Sequence, residues 1–95
     1  MYEILYETKK NLAERSQYYL LKRGMSILQL SKKLNKAYSV TYSLVNNKNK
    51  MFIEERSIEM LAKEFGVSNE VMISALSDKE RSEFEELQKK KKKRK

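Results

Sequence analysis

The side chains best suited to chemistry lie between Ser26 and Lys48. Lys32, Lys33, Lys36 and Lys48 are cations, while Tyr38, Ser39, Tyr42, Ser43, Asn46 and Asn47 carry hydroxyl and amide groups, and no Asp or Glu interrupts them. The chemistry open to such a set is recognition rather than bond-making. Ammonium groups neutralise phosphates and release counterions, and hydroxyl and amide groups exchange hydrogen bonds with base edges. Covalent chemistry has little to work with. The chain has no Cys and no His, which removes thiol and imidazole mechanisms, disulfides and the usual zinc ligands. Glu80, Glu83, Glu85 and Glu86 are acids on one charged stretch, without a base partner or a metal-ligand spacing. No enzyme activity, cofactor, metal or small-molecule substrate is expected.

Helices must position these residues. Proline is absent and glycine occurs only at 24 and 66, a pattern that suits long helices with short connections better than sheets. A first helix is predicted over 2–23, with Leu5, Leu12 and Tyr19 at heptad spacing and Gly24 at its end. Ser26 opens a second as the cap of a Ser26–Gln29 capping box, and its inward face is Ile27, Leu30, Ser31 and Leu34. Asn35 suits the left-handed turn that stops it. A third helix over 38–46 faces inward with Thr41, Leu44 and Val45, followed by a polar loop to Lys50. Ile58, Leu61, Ala62 and Phe65 mark a fourth, stopped at Gly66. Ser68 caps a fifth that packs through Val71, Met72, Ala75 and Leu76. Ser77 and Glu80 form a second capping box before a charged helix with Phe84 and Leu87 as its apolar residues.

With 95 residues the chain makes one domain around one modest core. The expected organisation is a domain over 1–77, a charged helix over 78–88 and a disordered basic tail over 89–95. There is no apolar run near membrane-spanning length, and Met1–Glu7 lacks the order of a secretory signal, so a cytoplasmic protein is expected. The net charge of +8 is unevenly spread: −2 over residues 1–8, +9 over 9–50, −6 over 51–88 and +7 over 89–95. A basic first half and a basic tail point to a polyanion partner.

Residues 26–46 read as helix, short connection and second helix, the last rich in Tyr, Ser and Thr. Reading duplex DNA uses this arrangement. The second helix enters a major groove about 12 Å wide with a polar outer face, and the first crosses the backbone, where Lys32, Lys33 and Lys36 meet phosphates. Ser26 serves first as a cap, although a helix N-terminus also holds phosphate.

From about Leu12 to Leu76 the chain resembles the lambda-repressor-like (Cro/repressor, XRE-type) helix-turn-helix family. The resemblance is carried by Met25–Asn35 and Tyr38–Lys48, and then by Ile58–Ser68 and Val71–Leu76. It implies an all-α, compact five-helix domain, here followed by the charged helix and tail. It further implies base-edge contacts from Tyr38, Ser39, Tyr42 and Ser43 and phosphate contacts near Asn46, Asn47 and Lys48. Departures from the family pattern are Ile27 for Gln, Ser31 for Ala, Asn35 and Asn47 for Gly, and Thr41 for Ile or Val. A competing register, Leu61–Ser68 followed by Ser68, Asn69 and Glu70 as readers, falls in the acidic half, which repels phosphate.

The expected function is sequence-specific duplex-DNA binding by a small, repressor-like transcriptional regulator, as a homodimer with Met72, Leu76, Phe84 and Leu87 as candidate dimer residues. A regulator of this size carries no sensor domain, and no ligand pocket is expected. Two alternatives stand beside it. One is a helix-turn-helix scaffold that binds a protein partner, as adaptor, anti-repressor or inhibitor, through the acidic 51–88 face and Phe84/Leu87. The other is RNA binding through the tail.

Overall fold

Serines start three of the helices of this chain, and left-handed residues stop three. The structure is a computed structural model that describes residues 2–46 and 55–93, with side-chain surroundings for 8–46 and 55–90. These residues form six helices and no strand: α1 (Tyr2–Arg23), α2 (Ile27–Leu34), α3 (Tyr38–Val45), α4 (Glu55–Phe65), α5 (Asn69–Met72) and α6 (Asp78–Lys93). Lys48, Asn47 and the Leu5 side chain lie outside the described residues.

Three helices end in the same way. Gly24, Asn35 and Gly66, at φ 62°, 56° and 72°, are the left-handed residues of the described chain. The amide after each reaches back to close the last turn: Met25 N to Leu20 O at 3.0 Å, Lys36 N to Ser31 O at 3.0 Å and Val67 N to Ala62 O at 2.9 Å. This Schellman closure satisfies carbonyls that a helix end leaves bare. Both glycines of the sequence are thus helix stops, and Asn35 is the third. At the other ends, Ser26 and Gln29 form the predicted reciprocal box (Gln29 N to Ser26 Oγ 3.1 Å, Ser26 N to Gln29 Oε1 2.8 Å), and Ser77 and Glu80 form another. Ser68 Oγ caps α5 by accepting from Val71 N at 3.1 Å.

One core joins α1 to α5 through Leu12, Leu20, Leu30, Leu34, Leu44, Val45, Leu61, Ala62, Phe65 and Met72, all buried. A second cluster of Tyr18, Leu76 and Phe84 holds α6 against α1, and the half-buried Tyr19 packs against both. The radius of gyration, 12.9 Å, is close to the roughly 12–13 Å of a compact chain this long. Ile27 and Ile58, expected on inward faces, are only partly buried.

The fifth helix is shorter than the apolar spacing predicts. It ends at Met72, Val71 is 38 % exposed, and Ala75 is exposed while Leu76 is buried. Asn11 Nδ2 donates to Ile73 O at 3.0 Å, and Arg15 donates through Nε to Ser74 O at 3.0 Å and through Nη2 to Ala75 O at 2.8 Å. Side chains of α1 thus satisfy the three carbonyls that follow the end of α5. Met72, Leu76 and Phe84, expected at a dimer surface, are buried inside the chain, and Leu87 is partly buried against the second cluster. Finally, α6 continues through Lys93, past the boundary expected at residue 88.

Arg15 is 3 % exposed and also pairs with Glu80, whose two carboxylate oxygens each accept from the guanidinium at 3.2 Å. Burial works against the Arg15 charge, but hydrogen bonds to Glu80 and Tyr19 outweigh it and its pKa moves up. Glu80 moves down, held by the Arg15 hydrogen bonds and then by the Ser77 amide. A carboxyl with a depressed folded-state pKa contributes stability that is complete above the unfolded value of about 4.3 and lost as pH falls through the folded value. Glu80→Gln should therefore cost about 3 kcal/mol near neutrality. It should also flatten the acid side of the stability profile, as read by urea melts from about pH 7 to pH 3.

Candidate nucleic-acid interface

α2 and α3 pack together across the three-residue connection Asn35–Ala37, and their inward faces fix which side chains face out. Leu30, Ser31 and Leu34 of α2 are buried, as are Thr41, Leu44 and Val45 of α3. The two polar members are satisfied locally. Ser31 Oγ donates to Leu28 O at 2.7 Å and Thr41 Oγ1 to Ala37 O at 3.1 Å, so neither hydroxyl is buried without a partner. From α1, Gln17 Nε2 donates to Val45 O at 2.7 Å and ties down the C-terminal end of α3.

With 41, 44 and 45 inward, the helical period turns 38, 39 and 42 outward. Tyr38 is 49 % and Tyr42 42 % exposed, with ring centroids 6.1 Å apart, and Ser39 is exposed between them. Ser43 is half-buried. Asn46 follows the last turn and donates through Nδ2 to Tyr42 O at 3.1 Å. Two exposed apolar residues on this surface were not singled out from the sequence: Val40, 44 % exposed, and Leu28, 50 % exposed. The signal for Val40 was available, since position 40 falls outside the inward set 41, 44, 45. Gln17 gave no local signal, because its partner is 28 residues away.

The structure brings some predicted residues together and separates others. Ser26, Tyr38 and Asn46 line one open groove of about 870 Å³, with Leu28 and Val45 and with Gln17, Leu21 and Gln88 from α1 and α6. Lys32 and Lys33 instead border a smaller hollow of about 300 Å³ with Arg23 and Gln29. Lys33 Nζ lies 3.9 Å from Glu64 Oε2, a pair of an exposed lysine with a half-buried glutamate, long enough to contribute at most about 1 kcal/mol. Lys32 is exposed and Lys36 half-buried, and neither belongs to an ion pair found among the described residues. In the competing register, Ser68 Oγ is committed to its cap, and Asn69 and Glu70 sit on a helix of four residues. One turn offers little to insert in a groove.

No protein-family model, curated protein or solved structure is significantly similar to this chain. The surface itself therefore carries the functional argument.

The turn between α2 and α3 sets how the outer face of α3 stands relative to α2. Asn35 holds a left-handed conformation that costs a β-carbon-bearing residue roughly 1–2 kcal/mol unless it bonds locally. Asn35→Ala should lower unfolding stability by about 1 kcal/mol and Asn35→Gly should not lower it, as measured by urea denaturation followed by circular dichroism.

Proposed function

We propose that this chain is a sequence-specific duplex-DNA-binding protein in which α2, Asn35–Ala37 and α3 act as a helix-turn-helix. α2 lies over the phosphate backbone and α3 enters the major groove. The observation that carries this reading is the outer face of α3: Tyr38, Ser39, Val40 and Tyr42 are exposed on a helix whose other face is locked into the core. No carboxylate occurs on α2, on α3 or on the residues joining them. The hydroxyls suit base edges, and the Val40 side chain suits a thymine methyl, the one apolar group that the major groove displays. Lys32 and Lys36 supply phosphate contacts, and Ser26 brings the α2 N-terminus to the same groove wall as Tyr38. Asn47 and Lys48 extend the phosphate contacts on the sequence reading.

On this reading the chain is a small regulator of the repressor kind, similar to the lambda-repressor-like proteins and cytoplasmic. Two copies would read two half-sites about one helical turn apart. With Phe84 and Leu76 buried, the surface that pairs the copies lies elsewhere than on those residues.

A second reading has a specific observation behind it. Leu28, Tyr38, Val40 and Tyr42 are also the large apolar side chains that a protein-binding scaffold would use. That shifts the adaptor or anti-repressor reading from Phe84/Leu87 to the α2–α3 face.

Selection from a random duplex pool at roughly 150 mM salt, where screening suppresses loose charge contacts, separates the two. The DNA reading expects a recovered motif with two-fold symmetry. No enrichment from folded protein contradicts it. Tyr38→Ala and Ser39→Ala should each weaken binding to the motif about tenfold or more, roughly 1–3 kcal/mol, without loss of stability. Val40→Ala should relax the preference for thymine at one position.

A further inference from the structure

The placement of α6 has a consequence for the bound footprint. α6 runs parallel to α1: Glu80 meets Arg15, Phe84 meets Tyr18 edge-on at 6.3 Å between ring centroids, and Leu87 and Leu21 pack against one cluster. Both helices therefore advance toward the same end of the molecule. There α1 stops at Arg23 and the chain turns through Gly24 and Met25 into the start of α2. α6 does not stop. Gln88 forms part of the groove whose other walls include Ser26, Leu28, Tyr38 and Asn46, and the helix continues five more residues, all lysine, to Lys93. At 1.5 Å per residue this is roughly 7 Å of helix beyond the groove.

The lysines are unevenly balanced. Glu85 and Glu86 precede Lys89 and Lys90 by four residues, the favourable order for a helical ion pair. Lys91, Lys92 and Lys93 have Leu87, Gln88 and Lys89 at that spacing. A helix whose last turn is all cation is favoured by the macrodipole and opposed by like-charge repulsion, so an external polyanion completes it.

We infer that the Lys89–Lys93 end of α6 binds the phosphate backbone of the same duplex, immediately beside the segment engaged by the α2 N-terminus and α3. The inference rests on the duplex-DNA reading above. It assigns the polybasic end a fixed position in the footprint rather than a diffuse attraction.

The chain has no cysteine, so Lys93→Cys gives a single attachment point for an iron chelate that cuts nearby backbone. The selected duplex is footprinted and cut in parallel. The expected result is cleavage confined to the edge of the protected segment, once for each bound copy. Changing Lys89 through Lys93 to Gln should shorten the footprint at that edge, keep the motif preference, and reduce the salt slope by up to about 0.9 for each lysine engaged. A protected motif with no cleavage, or with cleavage scattered along the duplex, overturns the inference and leaves the DNA reading standing. No protected motif overturns both. If the Gln variant keeps its footprint and slope but loses binding to phosphatidylserine-containing vesicles, the lysines serve a membrane surface and the inference is wrong.

Discussion

The guanidinium of Arg15 is a cation almost wholly removed from water, and the rest of the second half arranges itself around that fact. An isolated buried charge costs far more than a domain of this size can carry, so every donor must find an acceptor. Arg15 finds them in Ser74 O, Ala75 O, Tyr19 Oη and both oxygens of Glu80. Each bond fixes something. The two carbonyl contacts, with Asn11 on Ile73 O, accompany the end of α5 at one turn. The Glu80 contact ties the capping box of α6 to α1, since the same carboxylate accepts from Ser77 N at 2.9 Å. With its start fixed, α6 lies along α1, and Phe84 and Leu76 close over Tyr18.

That arrangement also redistributes charge. Along the chain a basic half precedes an acidic one, but in the fold Arg15 meets Glu80, Lys22 meets Glu83, Lys33 meets Glu64 and Arg81 meets Glu14. Arg15 and Lys22 of α1 are thereby matched across the helix pair. At the α2–α3 unit, Lys32 and Lys36 belong to none of these pairs.

The elements that sequence made legible are those governed by near neighbours. Gly24, Asn35 and Gly66 stop helices through bonds spanning one turn, and Ser26, Ser68 and Ser77 start them through bonds three residues ahead. The inward face of α3 likewise follows from its period, which left Tyr38, Ser39 and Tyr42 outward. Contacts across long sequence separations were hidden. Arg15 and Glu80 are 65 residues apart, and in the sequence each looks like an ordinary surface charge. The apolar Met72, Leu76 and Phe84 are consistent with either core or interface until α6 is placed. Its direction, set by those contacts, is what brings Gln88 to the groove beside Ser26 and Tyr38.

The central claim is that the α2–α3 face, framed by α1 and α6, is where duplex DNA binds. The most direct test is to titrate the ¹⁵N-labelled chain with the selected duplex at roughly 150 mM salt and follow each backbone amide. The account predicts the largest shifts at Ser26–Gln29, at Tyr38–Ser43 and at the lysines ending α6, with α4 and α5 nearly still. Shifts centred on α4 and α5, or none at concentrations where binding is saturated, would contradict it.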